Sequence, residues 1–222
     1  MKKIINILSL IVILFIDNVY SQSVYWRQFT PNNSGYPSRY NKSIVFLGDS
    51  LLVPSNKITI FEISKGNWKT LWFDSPVGSF IDLDHNNHVW FMSNSWSNEV
   101  RLIEYDWISP KNYSYPRSKG GEHLLSFRID KYNNKWIVSD DEGVYRYNKN
   151  GWTKFDTINS NIYSNFCENI FINDIKNEVW VISSKWNPTS TAFSIFNGQS
   201  WKNIYWQEIG LYNREYSYVS NL

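Results

Sequence analysis

One cysteine, Cys167, stands in a chain of 222 residues. A lone cysteine leaves no internal disulfide and no set of Cys/His ligands at metal spacing. Its neighbours Phe166, Ile170 and Phe171 suit a small buried apolar group rather than a nucleophile. Alanine is almost missing as well, with Ala192 alone, and there are two methionines, which argues against a helical protein. Neither sign of charge is in excess. Lys and Arg number 22 against 20 Asp and Glu, so no basic stripe marks a nucleic-acid partner. The three histidines, His85, His88 and His123, fall into neither metal spacing nor a Ser-His-Asp order, and the ten glycines form no phosphate-cradling loop. Nothing calls for a cofactor or a metal. Beyond Ile4–Ile16, no run is apolar enough to span a bilayer.

That first run is itself too short to span. Its thirteen residues follow Lys2 and Lys3 and precede Val19-Tyr20-Ser21. At ~1.5 Å per residue it falls short of a hydrocarbon core of roughly 30 Å. The pattern predicts a signal peptide over 1–21, cut before Gln22, and one domain over 22–222. The expectation is an exported bacterial protein, periplasmic or extracellular, with no transmembrane anchor after cleavage.

What is plentiful is aromatic: 12 Trp, 15 Tyr and 13 Phe, with many Asn and Ser. This is strand and turn composition. Within it, Asp-x-x-Asn-x-x-Trp recurs three times, as Asp84, Asn87 and Trp90, then Asp130, Asn133 and Trp136, then Asp174, Asn177 and Trp180. The tryptophans lie 46 and 44 residues apart, a period that signals a repeat architecture. Between Gly120 and Thr157 the pattern predicts four short strands: Leu124 to Asp130, Trp136 to Val138, Val144 to Tyr147 and Trp152 to Phe155. Four such antiparallel strands in about 40 residues describe a propeller blade. The repeated Asp closes an Asx-type turn, the Asn accepts a left-handed backbone, and the Trp anchors the second strand between neighbouring sheets. Asp82-Leu83-Asp84-His85-Asn86 also looks like the start of a calcium loop. It lacks the later Gly and the closing Glu, and the structural turn is the better reading.

A second series, Trp26, Trp68, Trp107, Trp152 and Trp201, is expected to open the fourth strands. The fold class is therefore all-β, a propeller-like array of about four to five blades. The blades fall at about 34–74, 75–116, 120–158 and 163–206, the first lacking the Asp-x-x-Asn-x-x-Trp turn. The Val24-to-Phe29 strand could join the C-terminal region to close a ring, and Tyr216 to Val219 could start another blade. A truncated product, or an array completed by a partner chain, remains an alternative.

The pattern of strand, Asp-x-x-Asn-x-x-Trp, strand and Asn-Gly-Trp resembles the two-component regulator propeller repeat. The match is best over Phe127 to Phe155 and covers about two thirds of the mature chain. The resemblance implies a propeller and, in the sensor proteins that carry it, a position outside the membrane ahead of a transmembrane helix and a kinase. It implies no particular ligand.

Loops at one end of such blades are the place for a site. Candidate ligand-binding residues are Trp96, Trp186, Asp140, Asp141, Glu142, Tyr113, Tyr115 and Arg117. Two exposed Trp beside acids and Tyr would make a platform for a glycan or a peptide. The competing reading is that both Trp pack over blade edges. The functional expectation is an exported, non-catalytic binding or interaction module. A glycan-active lyase or hydrolase is the alternative, and a membrane receptor is a further expected partner. Asp140 and Asp141 are adjacent, so strand alternation would point them apart rather than across a scissile bond.

Overall fold

The computed structural model describes residues 43–54, 57–71, 77–93, 101–116, 124–186 and 189–210. The expected leader (1–21), the Val24-to-Phe29 segment, His123 and the tail from 211 onward lie outside them. Sixteen strands follow in order: β1 (Val45–Leu47), β2 (Ser50–Pro54), β3 (Ile58–Glu62), β4 (Asn67–Leu71), β5 (Val77–Leu83), β6 (Val89–Ser93), β7 (Arg101–Tyr105), β8 (Pro110–Ser114), β9 (Leu124–Ile129), β10 (Lys135–Ser139), β11 (Val144–Asn148), β12 (Gly151–Phe155), β13 (Cys167–Asn173), β14 (Glu178–Trp186), β15 (Thr189–Phe196) and β16 (Trp201–Tyr205). A 3-10 turn, Trp206–Ile209, closes the described chain.

Each consecutive four strands form one antiparallel sheet with neighbours in sequence order. The described structure is thus all-β, four propeller blades in a row. Period-2 alternation makes each sheet two-sided. In the second sheet, Val89 and Phe91 of β6 face the first sheet, while Trp90 and Met92 face the third. In the third, Ile137 faces back and Trp136 and Val138 face forward. Three apolar layers result, one between each pair of successive sheets. Among the described elements, the substantial packing between sheets runs from each sheet to the next, led by β5, β9 and β13.

Polar bridges register the blades. Ile81 N–H donates to Ser43 Oγ at 2.7 Å, Ile129 N–H to Asp82 Oδ2 at 2.9 Å, and Ser126 Oγ–H to Asn169 Oδ1 at 2.8 Å. Burial pushes the Asp82 carboxyl above its ordinary range, opposed by its bonds from Ile129 and Leu83.

The repeated turn is built as the motif implies, with one addition. Asp130 Oδ1 accepts the backbone N–H groups of Tyr132 and Asn134, both at 2.9 Å, and Oδ2 accepts the Trp136 indole N–H at 2.7 Å. Asp84 does the same for Asn86, His88 and the Trp90 indole, at 2.9, 2.9 and 3.0 Å. Both carboxylates are buried, 5% exposed for Asp84 and 8% for Asp130. Asn87, Asn133 and Asn177 have φ of 61°, 64° and 57°, the left-handed conformation that Asn tolerates. So the carboxylate closes the turn and fixes the rotamer of the tryptophan that fills the next layer. Burying one such indole contributes roughly 4–6 kcal/mol of transfer free energy.

The third copy departs from this. Asp174 is exposed, and the Trp180 indole donates to Glu178 Oε2 at 2.9 Å instead. The cause is register. Trp90 pairs with Asp82 and Trp136 with Arg128, eight residues back, but Trp180 pairs with Phe171, nine back. That extra residue moves Asp174 out of reach of its tryptophan. Its Oδ1 accepts the Lys131 N–H of the preceding blade at 3.3 Å instead.

Trp68, Trp152 and Trp201 lie in fourth strands as expected, but Trp107 does not. Asp106 Oδ1 accepts the N–H groups of Ile108 and Ser109, and this turn places Trp107 at φ 72°, ahead of a strand that begins at Pro110. The Trp107 indole donates to the Asn87 carbonyl at 2.8 Å.

Cys167 is wholly buried in the layer between the third and fourth sheets, and burial pushes its thiol well above the usual range. A thiol reagent at neutral pH should leave the folded protein unlabelled and modify one thiol once denaturant is added. Labelling of the folded protein at the rate of a free thiol would contradict this packing.

Candidate functional site

The β10–β11 turn, the 156–166 connection and the β14–β15 hairpin meet at one end of the third and fourth sheets. Gly143 N–H donates to the Asn165 carbonyl at 2.8 Å, and Ser184 N–H to the Phe166 carbonyl at 3.0 Å. The hairpin overruns its sheet: β14 has nine residues and β15 eight, where β10 and β11 have five. Its base is laced by hydroxyls. Ser184 Oγ–H donates to Glu168 Oε1 and lies 3.1 Å from Thr191 Oγ1. Tyr163 from the connection meets Ser190 through its hydroxyl, and Lys185 Nζ stands 4.3 Å from the Tyr163 ring centroid. Tyr205 packs edge-on against the same ring at 5.4 Å.

This end therefore presents an aromatic ring, a cation and hydroxyls along the hairpin. Beside them is the acidic β10–β11 turn. Asp141 is exposed and Asp140 half-buried. The third acid of that turn belongs to the interior: Glu142 is 3% exposed, and its Oε2 accepts the Tyr145 hydroxyl. Its N–H donates to Ser139 Oγ at 3.0 Å, which turns the side chain inward.

Two more expected ligand residues pack on the layer between the second and third sheets instead, Tyr113 half-buried and Tyr115 buried. Tyr113 stacks on Trp90 at 5.4 Å, and its hydroxyl donates to Glu104 Oε2 at 2.6 Å. Burial, and then the Glu104 carboxylate, push that hydroxyl above its ordinary range. Tyr115 is buried against Tyr145 and Trp152. Both follow from β8 lying on the layer between the second and third sheets, where strand alternation aims residues 113 and 115 at the next blade. Trp96, Arg117 and the side chain of Trp186 lie outside the described residues. Tyr163, Lys185 and Ser190 were not singled out from sequence. The unusual length of the segment before and after Asn187-Pro188 was their available signal.

Asp84, His88 and Glu104 bring ligand-type atoms within 4.8 Å of one another. Each already has partners within the protein. Asp84 serves the turn and the Trp90 indole, His88 Nδ1 lies 2.7 Å from Glu104 Oε1, and Glu104 Oε2 takes Tyr113. Lys135, itself buried, places its ammonium 3.9 Å from the Trp90 ring centroid. The cluster ties the strands of the second blade together, and the Lys135 ammonium of the third blade lies beside it.

No family model matches the sequence, and no curated protein matches it. Solved structures share the fold. One is the extracellular domain of a hybrid two-component system from B. thetaiotaomicron, at 17% identity and a TM-score of 0.55 over 72% of this chain and 22% of that one. Another is a quinoprotein alcohol dehydrogenase-like protein of the same organism, at 9% identity and 0.51 over 75% and 45%. A third is YCF48 bound to the D1 peptide, at 14% identity and 0.51 over 82% and 57%. The chain thus spans about a fifth of the length of the first and about half of the others. The likeness agrees with the propeller resemblance read from the repeat, and it is a likeness of fold.

Proposed function

We propose that this chain is an exported, non-catalytic binding module, and that its loop end takes a peptide or glycan. The observation that carries the reading is the β14–β15 hairpin. It extends past its sheet and holds Lys185 over Tyr163, at the same end as the turn that carries exposed Asp141. Trp90, Trp136, Tyr115 and Tyr145, by contrast, are buried between blades, and the carboxylates of Asp84 and Asp130 are taken up by their turns. Here an aromatic ring and an acid stand at a loop end, where blades bind without altering their cores. An aromatic face flanked by charges of both signs suits a peptide backbone or a sugar ring. One propeller of similar fold is known with a peptide bound. Export is supported by the leader-like residues 1–21 and by the extracellular setting of a similar domain.

Peptide and glycan arrays with the purified protein test this. Lys185→Glu should weaken any ligand found at least tenfold, about 1.4 kcal/mol. The melt should fall only slightly, because Lys185 is exposed and loses one surface contact with the Tyr163 ring. Equal binding by parent and variant would move the site elsewhere. Turnover of a polysaccharide by the purified protein would replace the binding reading with the enzymatic one.

A further inference from the structure

The three layers between sheets repeat one arrangement, and its two halves are partly exposed at opposite ends of the array, where at the fourth sheet Trp206 of the 3-10 turn packs beside Phe193. Each layer receives two apolar residues at i and i+2 from the first strand of the following blade: Ile81 and Leu83, Phe127 and Ile129, Ile170 and Ile172. In the first blade the same positions are Ile44 and Phe46, because Val45 and Leu47 face the second sheet. Ile44 is 52% exposed and Phe46 69%. The other half of each layer is the second-strand side chain on the forward face. Trp90 and Trp136 are buried there by the next blade, at 3% and 1% exposure. Trp180 is only half-buried. It lines a recess with Phe171, Ile172, Asn173 and Phe193, and Phe171 is 47% exposed.

We infer that copies of this chain pack head to tail, with the forward face of the fourth sheet receiving β1 of a second copy. Ile44 and Phe46 of that copy take the places that Ile170 and Ile172 take on the Trp136 face. Such a contact continues the interfaces inside the chain, in which a first strand lies on the preceding sheet. A contact between unlike surfaces closes into a ring when the rotation allows. Two copies of four described sheets give eight blades, within the range of about 4–8 for closed propellers. This interface lies on sheet faces, apart from the loop end, so the two proposals fail separately.

Light scattering during size exclusion, over a range of protein concentration, tests it. The parent should elute at twice the chain mass. Phe46→Glu and Phe171→Glu should each elute as folded monomers, since both side chains are exposed within one chain, with a cooperative melt that no longer rises with protein concentration. An equimolar mixture of the two variants should recover dimers, because one copy retains a sound fourth-sheet face and the other a sound β1. A parent that is monomeric at every concentration would overturn the proposal. So would a dimer indifferent to both substitutions.

Discussion

Asp130→Ala is expected to lower the free energy of unfolding by about 4 kcal/mol. The carboxylate accepts two backbone N–H groups, the Asn134 side-chain amide and the Trp136 indole, all in a site 8% exposed. Removing the acceptor leaves several buried donors unpaired, at ~1–3 kcal/mol each before relaxation. The loss passes directly to packing, since Trp136 is central to the layer that holds Phe155, Phe196 and Trp201. Asp130→Asn keeps an acceptor oxygen but turns an amide toward other donors, so it should fall between parent and Ala. Urea titration with a constant m-value would show that stability changed and not the unfolding mechanism.

Gly143→Ala should cost about 3 kcal/mol or more. Gly143 has φ +87°, which L side chains rarely adopt, and an added Cβ would lie 2.3 Å from the Phe155 carbonyl oxygen. That oxygen belongs to the backbone of β12, and Gly143 also holds the 156–166 connection through its bond to Asn165. Relief would therefore move either a strand or the connection that carries Tyr163. Thermal melts of the variant and parent measure it. Gly151, also at positive φ, has open space where a Cβ would stand. Gly151→Ala should therefore cost less, from backbone strain alone.

The sequence made the blades readable because their strands alternate with period two and the motif repeats with a fixed spacing. The Asp turn was legible as an Asx turn. Its bond to the indole six residues later was implicit in the constant spacing and surfaced only with side-chain geometry. Asp174 shows why the motif alone is insufficient. Its letters match, but a register shift of one residue in the hairpin sends the carboxylate outward, and register is set by the pairing of both strands. Trp107 failed for a related reason: the Asp106 turn and Pro110 outweigh a tryptophan's preference for a strand. At the loop end, composition marked Asp140, Asp141 and Glu142 alike. Burial separates them, because the bonds of Glu142 to Ser139 and Tyr145 are made inside the fold. Tyr163 and Lys185 meet only in three dimensions, 22 residues apart in the chain.

A buried carboxylate–indole clamp, not the motif's letters, sets the tryptophan that packs the second blade on the third and the third on the fourth. The most direct test compares Asp130→Ala with Asp174→Ala by urea unfolding under one set of conditions. The account predicts a loss of about 4 kcal/mol for the first, which removes a buried acceptor, and under about 1 kcal/mol for the second, which removes an exposed one. Equal losses at the two positions would contradict it.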